Sequence, residues 1–114
     1  MHSWARADLK YIAATISWLL ALMPSAPAFE QQSLQNVLNR SHCIGCNLAG
    51  ANLEGADLSG LNLSWSDLSW ANLRNANLRD AIIDQTIFEG ANLSGTIWIH
   101  GIRCREGSIG GCQF

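Results

Sequence analysis

Four cysteines stand in a chain of 114 residues: Cys43 and Cys46 form a Cys-x-x-Cys, Cys104 and Cys112 lie near the end, and His42 and His100 are at hand. Three chemistries use such a set. A Cys-x-x-Cys pair exchanges thiol for disulfide when one sulfur is a thiolate of lowered pKa, typically at a helix N-terminus. Two cysteine pairs, with His42 or His100 as a further ligand, hold zinc when each pair has the short spacing that a tetrahedral site needs. An even number of cysteines in a small exported chain closes into disulfides, here two, with three possible connectivities. The wide gap between Cys104 and Cys112 speaks against zinc. The stretch after Cys46 shows no helix signal, which speaks against a redox centre. Other catalytic groups do not assemble: no nucleophile, base and orienting group recur at usable spacing. Gly107-Ser108-Ile109-Gly110-Gly111 lacks the Lys-Ser/Thr and the following helix of a phosphate loop. The reading is no enzyme, no cofactor and no metal.

What must position these cysteines is a repeat running over residues 41–100, in which ANLEG, ADLSG, ANLRN, ANLRD and ANLSG are variants of one phrase. Its central residues are Leu48, Leu53, Leu58, Leu63, Leu68, Leu73, Leu78, Ile83, Phe88, Leu93 and Trp98, every fifth position. Two positions earlier stands a small residue: Ala51, Ala56, Ser66, Ala71, Ala76, Ala81, Thr86, Ala91 or Thr96. A helix turns about 100° per residue and would scatter a five-residue period around its circumference. A continuous strand alternates faces, so an odd period would send successive leucines to opposite sides. Both are excluded. A short extended side followed by a corner puts the small and the bulky residue inward together, and repeating it coils the chain into a solenoid.

These eleven registered units resemble the pentapeptide-repeat family, whose motif is A(D/N)LxX. The resemblance covers about half the chain. It implies an all-β fold, a right-handed quadrilateral β-helix with four pentapeptides per coil and about three coils here, close to the lower limit for a stacked core. Residues twenty apart then lie above one another, giving inner columns Leu48/Leu68/Phe88, Leu53/Leu73/Leu93 and Leu58/Leu78/Trp98. Coils stacked about 4.8 Å apart put the two ends of such a rod roughly 10–15 Å from each other, beyond the ~7 Å reach of a disulfide. Local pairing is the expectation, Cys43 with Cys46 and Cys104 with Cys112, unless the tail folds back along the rod. The tail, residues 101–114, reads as a disulfide-closed segment. It is similar to the cysteine-containing tails of small exported bacterial and cyanobacterial members that carry CxxC before the first coil.

The beginning of the chain differs in kind. Arg6 and Lys10 precede an apolar run from Tyr11 to Met23, then Pro24 and the small residues Ala26 and Ala28, the order of a secretory signal peptide spanning residues 1–28. The alternative is an uncleaved anchor, which would put a membrane next to the domain. Either way the repeat lies outside the cytoplasm, in a periplasm, a thylakoid lumen or the medium. Without residues 1–28 the chain carries five arginines against eight carboxylates, a net charge of −3, and no lysine. That balance argues against nucleic-acid binding, and against the longer, cytosolic gyrase-protecting DNA mimics of the family. Residues 29–40 follow, with Leu34, Val37 and Leu38 as the apolar stripe of a short helix capping the first coil.

The departures from the motif are the candidate functional residues. Trp65 and Trp70 occupy corners that glycine fills elsewhere, and Ile82 and Ile87 replace the outward Asn or Asp of the same two walls one coil later. The register predicts one exposed apolar patch, used by an unidentified protein partner or covered by the tail or the helix. Open solenoid ends would also allow a homodimer. Asn and Asp before the bulky residue read as corner hydrogen-bonding groups, and Glu54 and Arg74 as a surface pair. Two functions of different class fit: a non-catalytic exported structural or protein-interaction module, or a thiol-disulfide protein using Cys43 and Cys46.

Overall fold

The computed structural model describes residues 29–114; the signal-peptide or anchor segment, residues 1–28, lies outside the described residues. Parallel bridges join Asn47 to Asp67, Asn52 to Asn72, Asp57 to Asn77, Asn62 to Ile82, Asp67 to Ile87, Asn72 to Asn92 and Asn77 to Ile97. The pairing distance is always twenty residues and a new bridge comes every five, so each coil has four sides of one pentapeptide. A side this short supports only a single bridge, which is why the walls are ladders of isolated bridges and not sheets of ordinary strands. We number the walls by inner column: wall 1 holds Leu48, Leu68 and Phe88, wall 2 Leu53, Leu73 and Leu93, wall 3 Leu58, Leu78 and Trp98, and wall 4 Cys43, Leu63 and Ile83.

From Gly50 onward each corner is a turn closed from the bulky residue's carbonyl to the amide three residues on, as in Leu48 to Ala51 at 3.0 Å and Leu53 to Ala56 at 3.0 Å. The residue before that amide has a positive φ at every corner from Gly45 to Gly95. Such a turn favours glycine, which has no Cβ to clash in the left-handed region. Where an Asx precedes the bulky residue it steadies the corner: Oδ1 of Asn52, Asp57, Asn62, Asp67, Asn72, Asn77 and Asn92 accepts the amide two residues on at 2.9–3.2 Å. Between coils, the bulky residue's amide donates to the next coil, as in Leu48 to Asp67 and Leu53 to Asn72, both 2.8 Å.

The core follows the two inward columns. Leu48, Leu58, Leu63, Leu68, Leu73, Leu78 and Leu93 are fully buried, with Ala51, Ala71, Ala76 and Ala91 beside them. Where the small column carries a hydroxyl, the hydroxyl is satisfied: Ser66, Thr86 and Thr96 donate to the carbonyls of Cys43, Leu63 and Leu73 in the preceding coil at 2.6–2.8 Å. Leu61, a large residue in the small column, is buried as well.

Helix α1 spans Gln31–Leu38, two residues shorter at each end than the segment read from the sequence. It stops in a left-handed cap at Arg40, φ 61°, with Ser41 N–H reaching Asn36 O at 2.8 Å and Arg40 N–H reaching Val37 O at 3.1 Å, a Schellman arrangement. Its inner face is centred on Ser33 and Val37, with Leu34 partly buried, whereas Leu38 is 49% exposed. The expected stripe is thus corrected. Residues four apart share a helix face, so docking through Ser33 and Val37 rotates Leu38 about 100° away from the core. The guanidinium of Arg40 ties the end of α1 to wall 3, bonding the Asp57 carboxylate at 2.8 Å and the Ser59 carbonyl at 2.9 Å. On wall 4, Nδ1 of His42 accepts the Asn62 amide at 2.9 Å, in place of the backbone carbonyl that the equivalent amides of later coils meet.

The tail runs back antiparallel over the last coil, bridging Ile109 to Asn92 and Arg103 to Ile97. It takes the place of a further coil on two walls. On wall 2, Leu93 and Gly95 donate to Ser108 O and Cys104 O, and Ala91 O accepts from Gly110; on wall 3, Trp98 donates to Ile102 O and Thr96 O accepts from Cys104. Leu93, under this cover, is fully buried, while Ile83, Phe88 and Trp98 in the same layer are only partly so.

Candidate interaction surface

Trp65 and Trp70 sit at the two corners that bound wall 1, with φ of 64° and 59°. A bulky residue in this region costs roughly 1–2 kcal/mol, because its Cβ crowds the following carbonyl. Asn75 and Asp80 hold the same conformation at the next two corners, but their short polar side chains tolerate it better. The two tryptophans are 69% and 70% exposed. Trp70 is not free of the rod, however. A Cβ at Gly90, one coil on, would lie 2.5 Å from the Trp70 ring, so the indole rests on the one corner whose glycine leaves room for it.

Ile82 and Ile87 are 46% and 49% exposed on walls 4 and 1. The backbone brings Asp84 and Glu89 to the same edge one coil on, since Trp65 N–H donates to Asp84 O at 2.9 Å and Trp70 N–H to Glu89 O at 2.7 Å. Neither tail nor helix covers these residues: the tail pairs with walls 2 and 3, and Arg40 anchors the end of α1 on wall 3.

Charge is segregated. Arg40 pairs with Asp57, Arg79 with Asp80 at 3.9 Å, and Arg74 with Glu106 of the tail, while Arg103 donates to the Gly95 carbonyl at 2.7 Å. Arg74 and Arg79 belong to walls 2 and 3 and Arg103 to the tail, and Arg40, at the end of α1, reaches wall 3. The expected Glu54 and Arg74 pair is corrected: Glu106 takes the guanidinium because the returning tail delivers it to wall 2. Its hydrogen bond and charge, with a smaller contribution from Glu54, hold the Arg74 guanidinium above its ordinary pKa. The Asp57 carboxyl is held below the usual carboxylate range, first by the hydroxyl and amide of Ser59 and then by Arg40. Asp67, Asp84 and Glu89, on walls 4 and 1, make no ion pair among the described residues.

The cysteines join locally, Cys43 to Cys46 and Cys104 to Cys112, with Cα separations of 5.4 and 5.1 Å. Cys43 occupies the inward column of wall 4 and is 2% exposed. No cluster of three or more His, Cys, Asp or Glu residues that could hold a metal ion occurs among the described residues, and no described helix is long and apolar enough to cross a membrane. Leu61 and the half-covered last coil were not readable from the sequence. An apolar residue in the small column carries no sign that it will fit, and the tail has no period from which to read its path.

Fold and surface together define a short repeat solenoid whose regular units make the core and whose irregular positions at Trp65, Trp70, Ile82 and Ile87 make an exposed apolar edge. A model of pentapeptide repeats matches residues 37–75 and 62–97 in eight copies, together more than half of the chain, and the protein belongs to the pentapeptide-repeat family. Proteins of this family are generally non-catalytic interaction modules. Among solved structures, the chain is similar to HetL, a pentapeptide repeat protein involved in heterocyst differentiation regulation from the cyanobacterium Nostoc sp. Strain PCC 7120. The two are 32% identical, over 55% of this chain and 36% of that one, with a TM-score of 0.27; the match thus spans well under half of HetL. No curated protein matches the sequence.

Proposed function

We propose that the protein is an exported, non-catalytic protein-interaction module, a right-handed four-sided coil that contacts a protein partner through the edge carrying Trp65, Trp70, Ile82 and Ile87. The observation that carries this reading is the pair of strained tryptophans. Glycine would serve both corners at lower conformational cost, and both indoles stay largely exposed even though Trp70 rests on Gly90, so packing on the rod uses little of their surface. Aromatic residues of this kind dominate binding energy at protein interfaces. The helix and the tail occupy much of the two ends, which favours a wall over end-to-end pairing of two copies. Export is supported by the signal-like order of residues 1–28 and by the two disulfides. The thiol-disulfide alternative is weakened by the burial of Cys43, since exchange requires a thiolate to reach the sulfur.

Photo-crosslinking in the native host tests the reading. Benzoylphenylalanine at position 65 or 70 of the full chain is expected to give the same adduct of defined mass. The adduct should be absent from position 59 on wall 3 and lost on Ile82→Glu/Ile87→Glu. Equal adducts from all three positions, or none from any, would overturn it.

A further inference from the structure

The last coil is covered on two walls and bare on the other two. From Leu48 onward, each side of the earlier coils offers the next coil two amides and one carbonyl: on wall 1 these are Leu48 N–H, Gly50 N–H and the Cys46 carbonyl, taken by Asp67, Ser69 and Asp67. The equivalent groups of the last coil on walls 4 and 1 include the amides of Ile83, Gln85 and Phe88 and the carbonyls of Ala81 and Thr86. None of these five has a hydrogen-bond partner among the described residues. The tail, which fills the same positions on walls 2 and 3, comes only as far as Gly110 beside Gly90. What remains is an unpaired strand edge next to partly exposed Ile83 and Phe88, bordered by Ile82 and Ile87.

Unpaired edges of this kind accept an extended segment by strand addition, in which the main chain supplies affinity and alternate side chains supply specificity. Two occupants could fill it: the same edge of a second copy, or an extended segment of another protein. Charge decides between them. A second copy would bring Asp84 and Glu89 of one chain against those of the other, and like charges at an interface are unfavourable. No arginine of walls 2 and 3 reaches over to neutralise them. A segment carrying Lys or Arg meets complementary carboxylates and, one coil behind, the indoles of Trp65 and Trp70, faces on which a cation is attracted.

We propose that walls 4 and 1 of the last coil form a docking edge for an extended, basic segment of a partner protein, which follows the Gln85 corner and adds as the two missing next sides of the coil. Ile83, Gln85 and Phe88 donate to its carbonyls, Ala81 and Thr86 accept from its amides, and Asp84, Glu89 and the two tryptophans select its charge. This rests on the interaction reading above and specifies the partner's chemistry.

The probes are two blocked hexapeptides, alternating Val-Lys and alternating Val-Glu, added to the full-length protein while amide hydrogen exchange is followed by NMR. At saturation the Val-Lys peptide is expected to slow exchange at Ile83, Gln85 and Phe88 by about tenfold or more, since bonded edge amides exchange only on opening. The Val-Glu peptide should leave them unchanged. The exposed double variant Asp84→Lys/Glu89→Lys, whose fold is checked by unchanged exchange at Leu53 and Leu73, should reverse the preference. Equal protection by both peptides overturns the charge assignment. Protection that rises with protein concentration in the absence of peptide overturns the occupant in favour of a second copy. Unchanged edge amides, with shifts confined to the Trp65 and Trp70 indoles, overturn the edge while leaving the interaction reading standing.

Discussion

Replacing Gly90 with alanine separates two costs that usually come together. Gly90 has φ of 69°, so any Cβ there incurs the left-handed penalty, and that Cβ would also stand 2.5 Å from the Trp70 ring. Gly50 has nearly the same φ, 73°, and a Cβ there meets nothing within 4 Å. Gly50→Ala therefore measures the backbone term alone, about 1 kcal/mol. Gly90→Ala adds displacement of the indole, which loses its ring-on-backbone contact; for an aromatic already largely exposed this adds about 1 kcal/mol, well below the cost of deleting a buried ring. The total for Gly90→Ala is about 2 kcal/mol. A double-mutant cycle isolates the contact: in a Trp70→Gly background, Gly90→Ala should fall to the Gly50→Ala value, a coupling of about 1 kcal/mol. Urea denaturation, with the midpoint and slope compared across the four proteins, reads it directly. Equal losses for Gly50→Ala and Gly90→Ala, or no change in the Gly90 effect when Trp70 is removed, would refute the reasoning that Trp70 is seated on that corner.

Other consequences follow from the same geometry. Leu73 is fully buried in the middle coil, and Leu73→Ala should cost about 2–5 kcal/mol in urea denaturation, whereas Leu38→Ala, on the outer face of α1, should stay within about 0.5 kcal/mol. Asp57 is held below its unfolded value of 3.8, so its contribution is complete above that value and is lost as pH falls through the lower folded pKa. Acid titration followed by circular dichroism should therefore show a less steep loss of stability below about pH 4 in Asp57→Asn. Removing the Cys104 and Cys112 disulfide with a Ser/Ser pair should cost about 2–3 kcal/mol for so short a loop. Hydrogen exchange should localise that loss at Leu93, Gly95 and Trp98, leaving Leu53 unchanged.

The periodic part of this molecule was legible because each of its constraints is local. A bulky residue every fifth position, a small one two before it and an Asx between them determine side length, corner and inward column together, and the twenty-residue bridges agree with four such sides per coil. The exposure of Trp65, Trp70, Ile82 and Ile87 is in line with the same register. What was not legible depends on contacts remote in sequence. Leu34, Val37 and Leu38 have good helical spacing, but the docked face was decided by Ser33, which a hydropathy pattern does not mark. Glu54 and Arg74 are one coil apart and could have met; Glu106 reached Arg74 from the aperiodic tail. That tail also decides which amides of the last coil are satisfied.

Hydrogen exchange across the last coil of the unliganded protein tests the half-covered end most directly. The tail-bonded amides of Leu93, Gly95 and Trp98 should be protected and those of Ile83, Gln85 and Phe88 should exchange at rates close to an open chain. Uniform protection around all four walls would contradict it.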